Sequence, residues 1–324
     1  MAGYEGAGFR AAVAVIAIMA LGCGATHAGD EQAPDRKIRV AATIFPLQCW
    51  VKKIGGGYVE AVTLLPAGVD PHTFDPAPSD MRKTAGARLF LKIGLGLDDW
   101  ADRLAAAGGG KMIVLALGNE LKSRGQLPDL GKARPPAIGA TASGEKDGHG
   151  HNGIDPHFWL DPLLAAIAAD DIANALTQAD PAHADEYAAN AKAWKCELQA
   201  LTAQIKSQLD DCTSRSFVTF HNAFAYFAAR FDLTVAGVIV ESPGKTPSDR
   251  YLKDLVRLLR EQHIGVVFAE PQFDRRAAAI LAAETGGRVD TLDDLGAAGA
   301  PGRGNYTELL MFNAAKLREA LGCK

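Results

Sequence analysis

Four side chains able to bind a metal lie where strand-like stretches of the sequence end. His72 follows the second predicted strand, His221 ends the fifth and Asp293 ends the eighth, while His157 lies in the stretch Asp-Pro-His-Phe-Trp. Taken singly, each histidine is also compatible with an ordinary hydrogen-bonded residue at a strand end. Ligands bind at the carboxyl ends of the strands in open α/β sheets, so we expect the four side chains to converge. Three imidazoles and one carboxylate form a tetrahedral set that suits Zn²⁺, whereas Mn²⁺ takes more oxygen ligands.

Two further histidines lie in a stretch rich in glycine, proline, alanine and charge. His149 and His151 fall within residues 125–153, which have no apolar period and are predicted to form a loop. Two interpretations stay open: an auxiliary metal site that captures or hands over the ion, and a linker in which the histidines are incidental. His183 and His263 are expected to be solvated and to take no part in metal binding.

The strands that position these residues are predicted from short apolar runs that alternate with helical patterns. Four strands are predicted in each half of the chain, at 38–45, 61–66, 89–94 and 112–117, and at 216–221, 234–240, 264–270 and 288–293. Strands that alternate with helices favour a parallel sheet. The two halves therefore share one pattern, although they share no obvious sequence identity.

A long helix is predicted between the two halves. Residues 180–209 contain no glycine and no internal proline, with Asp180 as the predicted N-cap and Pro181 at the first helical position. Apolar residues recur along it in steps of four and three. At about 1.5 Å per residue such a helix is roughly 45 Å long, more than a small domain needs. An ordinary surface helix is the alternative, but the similar patterns on either side favour a helix that joins two lobes.

The predicted fold is α/β, with two lobes joined by one long rigid backbone helix. Each lobe contains a four-stranded, mainly parallel sheet flanked by helices. The predicted boundaries are 37–179 for an N-terminal metal-binding lobe, 180–210 for the linking helix and 215–324 for a C-terminal metal-binding lobe. A chain of 324 residues with 48% hydrophobic content is long enough for two such cores. The net charge of −4 and the lack of a basic block argue against nucleic acid as a partner.

Residues 1–28 have the layout of a secretory signal peptide. Arg10 precedes an apolar run that is too short to span a bilayer, and small residues lead to a cleavage position after Ala28. Processing as a lipoprotein at Cys23 is the alternative, although the residues before it fit a lipobox poorly. Either route predicts an exported, periplasmic protein.

Four cysteines remain in the exported chain, and their even number allows two disulfides in an oxidising compartment. They are Cys49, Cys196, Cys212 and Cys323. Three pairings are possible. We favour Cys212 with Cys323 because both lie in the second half, and free buried thiols are the alternative.

Several longer motifs make the sequence similar to a known family. Residues 70–80, 92–97, 155–162, 220–226 and 268–273 resemble, in this order, motifs of the zinc-binding periplasmic (ZnuA-like) proteins of bacterial metal ABC transporters. The resemblance covers almost the whole mature chain.

The resemblance implies metal ligands at His72, His157, His221 and Asp293. Relatives that bind manganese tend to have glutamate at the third ligand position, so the histidine at 221 favours zinc. The chain departs from the family pattern at two positions. Asp294 stands where the family normally has proline, and Pro71 stands where some zinc-binding members have a carboxylate ligand.

The resemblance also implies a function without catalysis. The protein is expected to capture extracytoplasmic Zn²⁺ with high affinity, as a monomer, and to deliver it to an ABC transporter permease in the inner membrane. A periplasmic zinc chaperone is a further candidate partner. Small displacements of the second lobe or of residues 125–153 are expected to release the ion.

Three alternatives accompany this interpretation: a manganese-binding solute-binding protein, a secreted zinc hydrolase, and an adhesin on the same fold. The hydrolase would use the three histidines with water in the fourth position and Asp293 or Glu270 as general base. The sequence contains no His-Glu-x-x-His or other compact hydrolase signature.

Overall fold

The first half of the chain folds around a parallel sheet with the strand order β2-β1-β3-β4. The computed structural model describes residues 1–3, 37–107, 112–133, 135, 154–240 and 244–324. The strands of this sheet are β1 (Ile38–Ala42), β2 (Val59–Thr63), β3 (Ala87–Lys92) and β4 (Ile113–Ala116). The α-helices of this half are α1 (Phe45–Gly55), α2 (Met81–Thr84), α3 (Ala101–Ala107), α4 (Leu117–Ser123) and α5 (Pro162–Ala179).

The second half repeats this arrangement with the strand order β6-β5-β7-β8. Its strands are β5 (Ser216–Thr219), β6 (Thr234–Val238), β7 (Val266–Ala269) and β8 (Arg288–Thr291). The helix α6 (Ala184–Leu209) connects the halves, and α7 (Ala225–Arg230), α8 (Asp249–Glu261), α9 (Arg276–Thr285) and α10 (Tyr306–Ala320) follow it. All strand pairs in both sheets are parallel. The prediction of an α/β fold with two four-stranded sheets is confirmed.

The connecting helix begins differently from the prediction. A 3-10 turn at Pro181–His183 precedes α6. The Asp180 side chain does not cap a backbone N–H. Instead its Oδ2 pairs with Nδ1 of His183 and accepts a hydrogen bond from the Tyr187 hydroxyl, both at 2.7 Å. These side-chain bonds hold the first turn of the helix, and His183 is therefore not simply solvated.

The two halves share one hydrophobic core around α6. This helix packs against α1 and α5 of the first half and against α10 of the second. Trp50 of α1 is fully buried, and its ring lies 5.8 Å from that of Trp194 in α6 and 5.4 Å from that of Tyr306 in α10. A second cluster lies between the second sheet and the helices α8 and α9. Residues 37–324 form one compact unit, and the predicted lobe boundaries remain a prediction.

A disulfide joins Cys212 to Cys323 and ties the end of the chain to the segment that follows α6. This confirms the favoured pairing. Cys49 is a buried free thiol and Cys196 an exposed one in the described part of the chain.

Two groups of predictions fall outside the described residues. Residues 4–28 of the predicted signal peptide, with Cys23, lie in 4–36, and the candidate auxiliary ligands His149 and His151 lie in 136–153. Among the residues that are described, no helix has the length and apolar character needed to cross a membrane.

Candidate metal centre

His72 is positioned by a tight turn in the loop that follows β2. Its backbone N–H donates to Oδ1 of Asp70 at 3.0 Å, and the Thr73 hydroxyl donates to Oδ2 of Asp70 at 3.1 Å. The Trp100 indole N–H donates to the carbonyl of Pro71 at 3.0 Å. These bonds fix the backbone on both sides of His72, whose side chain is half-buried.

His157 is held by the carboxylate two residues before it. Oδ1 of Asp155 accepts a hydrogen bond from the backbone N–H of His157 at 2.9 Å and lies 2.7 Å from Nδ1 of the His157 ring. Both side chains are completely buried. A carboxylate at Nδ1 selects the tautomer that leaves Nε2 unprotonated, which is the form that binds a metal.

The segment that carries His157 is bonded to the second half of the molecule, although it precedes α6 in the chain. The Tyr226 hydroxyl donates to the carbonyl of Asp155 at 3.1 Å. Arg230 binds both carboxylate oxygens of Asp161, at 2.8 and 2.7 Å. The Tyr306 hydroxyl donates to the carbonyl of Trp159 at 2.6 Å. Elements of both halves therefore determine where His157 lies.

His221 lies two residues beyond the end of β5 and is 1% exposed. The Thr219 hydroxyl donates to its carbonyl at 2.7 Å. Nδ1 of the ring lies 3.6 Å from Oε1 of Glu270, which directly follows β7 and is also buried. Glu270 therefore faces Nδ1 of His221 as Asp155 faces Nδ1 of His157, but at an ion-pair distance instead of the 2.7 Å hydrogen bond that Asp155 makes.

Burial and charge act in opposite directions on this pair. Burial alone lowers the pKa of the His221 imidazole, but the nearby carboxylates, Glu270 first and then Asp294 and Asp70, together outweigh burial and raise that pKa to about 9. Burial raises the pKa of the Glu270 carboxyl, and the charge of His221 opposes that rise. Each group favours the charged form of the other.

The structure brings the three histidines into one group at the carboxyl ends of β2 and β5. One ring nitrogen from each of His72, His157 and His221 lies within 4.8 Å of the others. Nε2 of His72 is 3.1 Å from Nε2 of His157, and the ring centroids are 5.1 to 5.8 Å apart. In the part of the chain that the structure describes, this group contains no carboxylate. Three converging imidazole nitrogens suit Zn²⁺.

Asp293, the fourth predicted ligand, lies outside this group. Its Oδ1 accepts hydrogen bonds from the backbone N–H of Leu295 at 3.0 Å and of Gly296 at 2.8 Å, and its Oδ2 accepts one from Arg303 at 2.8 Å. Both carboxylate oxygens therefore stabilise the turn after β8. A ligand role for Asp293 remains a prediction.

The adjacent Asp294 has a different environment. It is completely buried, and its Oδ1 accepts a hydrogen bond from the Gln272 amide at 2.8 Å. Its Oδ2 has no hydrogen-bond partner among the described residues. Burial raises the pKa of the Asp294 carboxyl to about 7, against the opposing effect of His221.

Sequence reasoning missed the role of Asp155 and assigned Glu270 only to the rival hydrolase. A signal existed for both. Asp155 precedes a candidate ligand by two residues, as Asp70 does, and Glu270 follows a strand at the edge where ligands bind.

The structure is that of an α/β protein with two four-stranded parallel sheets and a group of three histidines that could hold a metal. Residues 40–320 match the family model described as ZnuA, the periplasmic component A of a zinc-uptake complex. The chain belongs to this ZnuA family.

Known relatives agree with this assignment. The high-affinity zinc uptake system protein ZnuA of Brucella abortus is 29% identical, and the match covers 92% of this chain and 94% of that protein. A crystal structure of ZnuA superposes with a TM-score of 0.74 at 30% identity, covering 88% of this chain and 99% of the other. The laminin-binding protein of Streptococcus agalactiae, described as an adhesin with metal transporting activity, has a TM-score of 0.71 at 30% identity over 88% of this chain and 99% of its own.

Proposed function

We propose that this protein captures Zn²⁺ in the periplasm and delivers it to the permease of an ABC transporter, without carrying out chemistry on the metal. The observation that carries the proposal is the convergence of the His72, His157 and His221 imidazoles in one group. The names of the relatives, which refer to zinc uptake, support the identity of the ion and its transport.

The donor set favours zinc over manganese. Imidazole nitrogens suit Zn²⁺, and carboxylate, carbonyl and water oxygens suit Mn²⁺. The carboxylates beside the site bond or face the Nδ1 side of the His157 and His221 rings, so they orient imidazoles instead of replacing them. The resulting site presents three nitrogens to the ion.

The remaining parts of the proposal concern processing and partners. We propose that residues 1–28 are removed on export, that the mature protein is a monomer without enzymatic activity, and that it works with a permease and a periplasmic zinc chaperone. We propose lobes at 37–179 and 215–324, joined at 180–210, and an auxiliary role for His149 and His151. Asp293 is a candidate ligand only if its bond to Arg303 breaks.

Competitive titration of metal-free mature protein tests the binding proposal. Zinc and manganese are added against a chelator to the unmodified protein and to His157→Ala, His221→Ala and His263→Asn. His263 is exposed and has a positive φ that asparagine tolerates, so it is a matched control outside the site. We expect one tight zinc equivalent, weaker manganese binding, and a loss of more than about 100-fold in zinc affinity for the two site variants, since even outer partners of ligands contribute about 10–100-fold. Tight manganese with weak zinc, or wild-type affinity in His221→Ala, would overturn the proposal.

Delivery is tested separately in cells. Zinc uptake is measured in cells that lack the protein and then carry either the unmodified gene or His221→Ala. We expect the unmodified gene to restore zinc uptake and the His221→Ala gene not to restore it. Equal restoration by both genes would contradict delivery through this site.

A further inference from the structure

We propose that Trp100 is a positioning residue for His72 and that it contributes to zinc affinity through the backbone that carries this histidine. The inference rests on the proposed zinc-binding function and adds a residue that does not itself bind the ion. It follows from the contacts between the His72 loop, defined here as residues 70–75, and the segment that leads into α3.

The peptide unit that joins Pro71 to His72 is held at both ends. Its carbonyl oxygen accepts a hydrogen bond from the Trp100 indole N–H at 3.0 Å, and its N–H donates to Oδ1 of Asp70 at 3.0 Å. Because a peptide unit is planar, bonds at its two ends fix the orientation of the backbone that leads into His72. Asp70 belongs to the same loop, so the Trp100 bond is the one that ties this unit to another segment of the first half.

The ring of Trp100 also contacts the His72 loop beyond His72. Its centroid lies 4.8 Å from that of Phe74, and the two rings meet edge to face. Arg103 of α3 pairs with Asp75 at 2.7 Å, but both side chains are largely exposed, and such a surface pair contributes little stability. The buried contacts of this segment with the loop are therefore those of Trp100, one on each side of His72.

Trp100 lies on a fixed part of the first half. It is 9% exposed and directly precedes α3. Two residues before it, the completely buried Asp98 carboxylate accepts hydrogen bonds from the Thr43 hydroxyl at 2.6 Å and from the backbone N–H groups of Ile93 and Gly94 at 2.7 and 2.8 Å. These bonds join the segment to the ends of β1 and β3. The indole can therefore hold the loop in place before an ion arrives, which lowers the cost of ordering it on binding.

His72 depends more on its backbone than the other two imidazoles do. His157 and His221 are 0% and 1% exposed, so packing restrains their rings on every side. His72 is half-buried, and packing restrains its ring on fewer sides. A bond that fixes its backbone is therefore expected to affect the geometry of the site.

The test is a double-mutant cycle on zinc affinity with Trp100→Phe and His72→Ala. Phenylalanine keeps an aromatic ring beside Phe74 and removes the indole N–H. Affinities of the unmodified protein, both single variants and the double variant are measured with chelators of graded strength. We expect Trp100→Phe to lose about tenfold in zinc affinity when His72 is present, the lower limit for the loss of a ligand's outer partner. In the His72→Ala background we expect a change of less than about twofold, because Trp100 acts through His72.

Trp159→Phe is the matched control for this cycle. The Trp159 indole also donates to a backbone carbonyl, that of Asp294 at 2.6 Å, but its ring lies beside His157. Any loss of zinc affinity that this variant causes is expected to be the same factor with and without His72.

Two results would overturn the inference. One is wild-type zinc affinity in a Trp100→Phe protein that thermal unfolding without metal shows to be folded. The other is an equal loss with and without His72, which would mean that Trp100 only stabilises the fold. If Trp100→Phe does not fold, Phe74→Leu, which removes the ring contact and keeps the indole, enters the same cycle with the same expectations. Failure of the unmodified protein to bind zinc would instead refute the proposed function, so the two failures are distinguishable.

Discussion

Removal of the Asp155 carboxylate is expected to weaken zinc binding although Asp155 is not a predicted ligand. One oxygen of this side chain bonds both the backbone N–H and Nδ1 of His157, at 2.9 and 2.7 Å. The first bond positions the residue, and the second selects the ring tautomer and raises the basicity of Nε2. Both effects act on the metal through His157.

Two variants of Asp155 separate these effects. Asp155→Ala removes both bonds, and its expected loss in zinc affinity is about 10–100-fold, or about 1.4–2.8 kcal/mol. Asp155→Asn keeps an oxygen that accepts from both donors but carries no charge, so its expected loss lies near the lower limit, at about tenfold. The predicted order of affinity is therefore wild type, then Asp155→Asn, then Asp155→Ala.

The assay is chelator competition with zinc, accompanied by thermal unfolding of each metal-free variant. Asp170→Asn is the control, because Asp170 is an exposed aspartate of α5 that pairs with Lys195 of α6 and does not contact the three histidines. Wild-type affinity in a folded Asp155→Ala protein would refute the argument that this carboxylate prepares His157 for the metal.

Two further predictions concern stability. Cys212→Ser should lower the free energy of unfolding by about 4–5 kcal/mol, since the disulfide closes a sequence separation of 111 residues. Denaturant titration measures this loss, with Cys196→Ser as the control. Equal stability of the two variants would contradict the prediction. Burial would raise the pKa of Asp180, but hydrogen bonds from Tyr187 and His183 outweigh it and hold the pKa below the ordinary value. The ionised carboxylate therefore stabilises the fold above its unfolded pKa, and this contribution is lost as the pH falls through the lowered pKa. Asp180→Asn should accordingly lower the free energy of unfolding by about 1.5–3 kcal/mol at neutral pH and by progressively less in acid. Denaturant titration at several pH values measures this difference. A difference that stays constant with pH would contradict a stabilising role for the ionised Asp180 carboxylate.

Much of the fold was predictable because local patterns and topology agree. Each observed strand lies within or beside a predicted apolar run, and the buried residues of α6 are the ones at the predicted helical spacing. The placement of His72 and His221 at the carboxyl edges of their own sheets follows from the parallel strands, but their convergence does not, because β2 and β5 lie in different sheets.

The remaining features depend on contacts between distant segments. Asp293 and Asp294 are adjacent and chemically identical, and their different environments depend on residues distant in sequence, Arg303 for Asp293 and Gln272 for Asp294. The pairing of Glu270 with His221 likewise arises from the packing of β5 beside β7. Asp180 was predicted to cap the backbone, but two nearby side chains compete for its carboxylate.

X-ray absorption at the zinc edge of the zinc-loaded mature protein counts the imidazole ligands of the bound ion and so shows whether the three histidines hold it. We expect three imidazole nitrogens at about 2.0–2.1 Å, one oxygen ligand, and the loss of one imidazole in His221→Ala. Fewer than three imidazoles in the unmodified protein, or an unchanged count in His221→Ala, would show that His72, His157 and His221 do not together hold the zinc.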